Sequence, residues 1–90
     1  MNDTPWEVRV MGPARRQIER LPSGAAAAVI ETLTAIASNP RRLGKPLRFE
    51  LEGCLSARRG PYRVIYRIDD ATHTVAVLAV GHRADIYRPR

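Results

Sequence analysis

Ninety residues make a short chain, enough for one compact core that buries roughly 60–65% of the surface the unfolded chain exposes. Hydrophobic residues make up 44% of it, which excludes wholesale disorder. The formal net charge is +6, all of it in one segment. Residues 1–40 and 68–90 each balance, whereas residues 41–67 hold eight basic side chains against Glu50 and Glu52. A concentrated excess of that kind is the electrostatic footprint of a nucleic-acid or other acidic partner. The single cysteine, Cys54, excludes an internal disulfide, suits a reducing cytoplasm and reads as a small strand residue. No signal peptide is apparent, and the apolar runs near residues 25–30 and 75–81 are too short to cross a bilayer.

Trp6 to Met11 alternates with period two and predicts a first strand, with Trp6, Val8 and Val10 on one side. Gly12-Pro13 stops it, and Pro13 suits the first position of a helix. Ala14, Ile18 and Leu21 recur at helical spacing, and Pro22 ends this helix. Ser23 is expected to cap a second, longer helix over 24–38, with Ala26, Ile30, Leu33 and Ala37 as its apolar stripe. Asn39-Pro40 terminates it. From Arg41 to Gly53 the pattern is irregular and predicts an ordered basic loop pinned by Leu43, Leu47 and Leu51.

Two strands, about 54–59 and 62–69, are joined by a Gly60-Pro61 turn. In the second, Tyr62, Val64, Tyr66 and Ile68 fall on one side and Arg63, Ile65 and Arg67 on the other. A turn at Asp70-Ala71 leads to a strand over 74–80 that is apolar on both faces, hence central. Gly81-His82-Arg83 leaves it, and 84–87 is expected to form one helical turn. One domain over residues 1–90 is expected, of α+β class with one sheet and one helical layer. No metal or cofactor motif is present: His73 and His82 are unaccompanied, and there is no Walker loop or glycine fingerprint.

Ser56-Ala57-Arg58-Arg59-Gly60-Pro61-Tyr62-Arg63-Val64-Ile65-Tyr66, with Val80-Gly81-His82-Arg83 and Tyr87, resembles the RelE/ParE toxins of bacterial type II toxin–antitoxin systems. The resemblance spans nearly the whole chain. It implies the RelE-like fold: an N-terminal strand, a two-helix hairpin, then a three-stranded antiparallel meander, forming one sheet with the helices on one face. It also implies a metal-independent endoribonuclease that cuts mRNA on the translating ribosome and is silenced by a cognate antitoxin, which carries the complex to operator DNA.

Metal-free RNA cleavage uses the 2′-OH as nucleophile and needs a base, cations on the phosphate, and an acid for the departing 5′ oxygen. By residue match, Arg63 corresponds to the family's strand arginine, Arg83 to its later arginine and Tyr87 to its C-terminal tyrosine, with a shorter interval after Arg83 here. Where the best-studied members have two lysines, this chain has Cys54 and Ser56. His82, which titrates in a useful range, is the candidate base, with Glu50 and Glu52 behind it. Arg41, Arg42, Lys45, Arg48, Arg58 and Arg59 are expected on RNA. The alternative for Arg63 is an ion pair with Asp69, Asp70 or Asp85. Two further readings are a ParE-like inhibitor of DNA gyrase without ribonuclease activity and a basic nucleic-acid-binding module without a reaction.

Overall fold

The computed structural model describes residues 4–82. Arg83, Tyr87 and the helical turn expected at 84–87 therefore lie outside the described residues. The chain runs through strand β1 (Glu7–Val10), helices α1 (Gly12–Glu19), α2 (Ser23–Ser38) and α3 (Pro40–Leu43), and strand β2 (Lys45–Pro46). A 3₁₀ turn at Phe49–Leu51 then precedes strands β3 (Leu55–Arg59), β4 (Tyr62–Asp69) and β5 (Thr74–His82). The sheet has five strands in the order β1-β5-β4-β3-β2. β1 pairs with β5 in parallel, and the other pairings are antiparallel. The α+β class and the meander expected from the sequence are both present, with β2 as an additional edge strand.

Alternation decides which strand residues meet the helices. Ala57, Val64, Tyr66, Val75, Val77 and Val80 form the core with Ala14 of α1 and Val29 and Ile36 of α2. Trp6, Val8 and Val10 pack at its margin, as does the Ile18 and Leu21 side of α1. Gly60 joins β3 to β4 at φ +57, a left-handed conformation that suits a two-residue hairpin turn before proline.

Strand β5 does not keep a constant period. Ile65 pairs with Ala79 but Tyr66 pairs with Val77, so Leu78 is an extra, bulged residue. The bulge brings Val80 to the core face instead of Ala79. Beside it, the Val80 N–H donates to Gln17 Oε1 of α1 at 2.7 Å, tying helix to strand. The strand continues through Gly81 and His82, two residues beyond its expected end.

Helix α2 corrects two expectations. Its N-cap is Pro22, with no side-chain cap from Ser23, which is the first helical residue. Its buried residues are Val29, Thr32 and Ile36, whereas Ile30 is 53% exposed. With so many alanines in the helix, hydropathy leaves the rotation undetermined, and the β-branched side chains of 29, 32 and 36 fill the gap over the sheet. Thr32 satisfies its hydroxyl internally, donating to the Ala28 carbonyl at 3.0 Å.

The basic loop expected over 41–53 is built from short elements. Asn39 Oδ1 accepts from the Arg41 N–H at 3.3 Å and so starts α3 instead of merely ending α2. Leu43 is 45% exposed and pins nothing, while Leu47 and Leu51 are half-buried as expected. What pins the segment is Tyr66: its fully buried hydroxyl donates to the Pro40 carbonyl. A Cβ on Gly44 would stand 2.1 Å from that hydroxyl oxygen, so only glycine lets the chain pass.

Substituting Tyr66→Phe strands a buried carbonyl and is expected to cost about 1–3 kcal/mol in chemical denaturation. Gly44→Ala overpacks the same contact and is expected to cost at least about 2 kcal/mol, with less than additive loss in the double variant. Burial raises the Tyr66 phenol above its ordinary value, partly opposed by the Gly44 backbone. A raised acid favours the folded state's neutral form, so this contribution is intact below about pH 10 and fades above it. Stability measured by denaturation at alkaline pH should therefore fall off more steeply for the wild type than for Tyr66→Phe.

Candidate phosphate-binding site

The face of the sheet turned away from the helices carries the basic side chains. Directly paired residues share a face, so register alone defines the site. Arg58 of β3 stands opposite Arg63 of β4, and Arg63 stands opposite Gly81 of β5, which contributes no side chain. One step along, Lys45 of β2 stands opposite Ser56 of β3, which stands opposite Ile65. Further on, Arg67 donates from Nη2 to Cys54 Sγ at 3.6 Å, so this thiol lies on the same face.

Leu43, Lys45, Leu47, Ser56, Arg58 and Arg63 line a cavity of about 290 Å³. Three of these six are cations and none is a carboxylate. Two guanidinium groups placed directly across a strand pair repel each other, and a bound anion offsets that repulsion. Nη1 of Arg63 is buried and has no hydrogen-bond partner among the described residues. An unpartnered buried donor is costly, and a ligand oxygen would supply what the protein does not.

Of the aspartates named as alternatives for Arg63, Asp69 and Asp70 are engaged elsewhere, and Asp85 lies outside the described residues. Asp70 takes both oxygens to Arg41, at 3.0 Å from Nη1 and 2.7 Å from Nη2. Asp69 Oδ1 accepts from the Ala71 and Thr72 N–H groups and closes the β4–β5 turn. The Arg41 guanidinium holds the Asp70 carboxyl below its usual range, chiefly through the hydrogen bond and only then through charge attraction.

The residues expected on RNA do not share one surface. Lys45, Arg58 and Arg63 meet at the cavity. Arg59 lies on the helix-bearing face, where it pairs with Glu31 of α2 at 2.9 Å. Arg41 is held by Asp70 beside a cleft of about 370 Å³ lined by Pro46, Leu55 and Ile68, residues of that same helix side. Arg42 and Arg48 are exposed outside both cavities.

His82 also departs from expectation. Its ring meets Tyr62 edge-on, with centroids 5.9 Å apart, and Tyr62 is its direct cross-strand partner. Tyr62 alternates with Val64 and Tyr66, so His82 is on the helix side and Arg63 on the other. The reason is the bulge at Leu78: counting straight through β5 from Val77 would put His82 on the face of Arg63. Conversely, Lys45 belongs to the site more closely than a loop residue would. A two-residue strand containing proline has no periodicity to announce it.

The comparisons agree with this architecture. The family model described as the ParE toxin of the type II toxin–antitoxin system parDE matches residues 8–87. Toxin RelG of Mycobacterium tuberculosis is 53% identical over 85 residues, covering 93% of this chain and 98% of that protein. Toxin RelE of the same organism is 47% identical over 88 residues, covering 97% and 91%. The RelBE2 toxin–antitoxin complex of M. tuberculosis contains a chain that superposes with a TM-score of 0.85 at 49% identity, covering 93% of this chain and 98% of that one. The isolated E. coli RelE toxin, at 20% identity and a TM-score of 0.74 over 86% of this chain and 83% of its own, shares the fold. A sheet with this strand order, a cationic cavity on its open face and sequence agreement over almost its whole length lead to one assignment: the chain belongs to the RelE/ParE toxin family of type II toxin–antitoxin systems.

Proposed function

We propose that the protein is a metal-independent endoribonuclease that cleaves mRNA on the translating ribosome and so arrests translation and growth. The observation that carries this reading is the Arg63 guanidinium, whose buried Nη1 has no partner among the described residues, beside Arg58 and Lys45 in a cavity that no described carboxylate lines. Donors fixed in this way before substrate arrives stabilise a phosphorane-like transition state without reorganising. Arg63 and Arg58 grip the non-bridging oxygens as charge accumulates there, and the guanidinium fork suits that geometry. Arg83 and Tyr87, matched to the family by sequence, complete the proposed site. The His82 ring, which meets Tyr62 edge-on, is on the other face of the sheet from Arg63.

The partner follows the same reading. The relatives of known structure include complexes with antitoxins, among them RelBE2 of M. tuberculosis and the E. coli RelBE complex. This chain is accordingly proposed to be held inactive in the cytoplasm by a cognate antitoxin that presents acidic side chains or a helix to the basic 41–67 segment and tethers the pair to operator DNA. A gyrase-directed toxin is the second reading, favoured by the parDE description of the matching family model and by Cys54 and Ser56 in place of lysines.

Inducing the chain without an antitoxin and mapping mRNA 5′ ends separates the two. Discrete cuts within translated codons support the nuclease, and DNA damage without cuts supports the gyrase inhibitor. Arg63→Ala and Arg83→Ala are each expected to remove about 3–4 kcal/mol of transition-state stabilisation, a loss of about 10²–10³ in cleavage rate. Undiminished growth arrest in both would reject the assignment. Arg58→Ala is expected to lower the salt dependence of RNA binding by about one unit of slope. Arg59→Ala, on the other face and paired with Glu31, is expected to leave that slope unchanged.

A further inference from the structure

The cavity beside Arg63 holds donors for a phosphate, but few of its groups can move a proton. Arg58 and Arg63 are charged at all working pH values and do not release one. Leu43 and Leu47 are apolar, and the Ser56 hydroxyl is a weak acid. Among the described lining residues Lys45 remains, and it is the chain's single lysine among fifteen basic side chains. Wherever else the chain places a cation it uses arginine.

The position of Lys45 is set with unusual care for an exposed edge residue. Its Cα pairs with Ser56, and Pro46 after it pairs with Leu55. Proline keeps the residue before it extended. The Leu47 N–H donates to the Cys54 carbonyl at 2.9 Å, closing the segment on its far side. On its near side Gly44 lies against the buried Tyr66 hydroxyl. A flexible side chain thus springs from a fixed backbone point on the wall of the cavity that Arg58 and Arg63 also line.

We infer that Lys45 is the general acid of the cleavage, protonating the departing 5′ oxygen. The inference rests on the ribonuclease reading above. In the step, the ribose 2′ oxygen attacks phosphorus, a 2′-O–P bond forms and the P–O5′ bond breaks. The 2′ proton passes to solvent, and the Lys45 ammonium gives its proton to the 5′ oxygen. The products are a 2′,3′-cyclic phosphate and a 5′-hydroxyl, and the neutral amine regains a proton from water. An ammonium has protons to give and no lone pair to accept one, so in this step it acts as acid and not as base.

The test compares two mRNAs on programmed ribosomes, one natural and one with sulfur replacing the 5′ bridging oxygen at the cleaved bond. A thiolate departs without protonation, so the sulfur substrate has no need of an acid. Lys45→Ala and Lys45→Arg are both expected to cut the oxygen substrate about 10²-fold or more slowly. Both should cut the sulfur substrate at close to the wild-type rate. Arg63→Ala should be slow on both. Lys45→Arg matching wild type on the oxygen substrate would show that charge suffices and would overturn the acid role. Equal impairment of Lys45→Ala on the two substrates would overturn it as well. Wild-type protein cutting neither mRNA would instead remove the nuclease reading and Lys45's role with it. Lys45 is exposed, so these substitutions leave the core untouched.

Discussion

The contact between the Tyr66 hydroxyl and the Pro40 carbonyl is the constraint on which the site depends. Tyr66 sits in the middle of β4, and Pro40 opens the segment that leads through α3 to β2. Without that contact the segment would have little to hold it: β2 is two residues long, α3 is four, and Leu43 is largely exposed. The same phenol forbids a side chain at Gly44, so the path of the chain into Lys45 follows from one buried polar group and one missing Cβ. Function and stability meet there, since the residue that fills the core also determines where the cavity wall stands.

A second constraint divides the sheet's two faces. Helices cover one face with valine, alanine and isoleucine, which leaves the opposite face free to hold arginines in register. The bulge at Leu78 enforces the division in β5, bringing Val80 into the core and setting Gly81 beside Arg63. Gln17 takes up the Val80 N–H there, so the irregularity carries no orphaned donor at that position. Placing glycine next to two opposed guanidiniums means that β5 adds no side chain beside them at that register position.

Much of this was legible from residue order because it rests on period and punctuation. The alternation in 62–68 separated Tyr66 from Arg63 correctly, Gly60-Pro61 marked the hairpin, and Pro13 and Pro22 bounded the first helix. Three things were not legible. The rotation of α2 was hidden by an alanine-rich run in which several faces are equally apolar. The facing of His82 depended on a single extra residue in β5, which no hydropathy pattern reveals when both faces of a strand are apolar. The pairing of Arg41 with Asp70 depended on a contact between residues far apart in the chain. Local signals carry no information about such partners. Charge counting singled out one segment but treated as one surface what the sheet divides between two.

The parallel pairing of β1 with β5 has a consequence for how the molecule comes into being. β5 is the last described strand to be synthesised, and both β1 and β4 need it as a neighbour. Contacts between such distant parts of a chain form late and slowly. A nascent chain therefore emerges with β1 and the β5-facing edge of β4 unmatched until residues 74–82 have followed. Completion of the sheet is thus deferred by topology until the strand that joins β1 to β4 has been made.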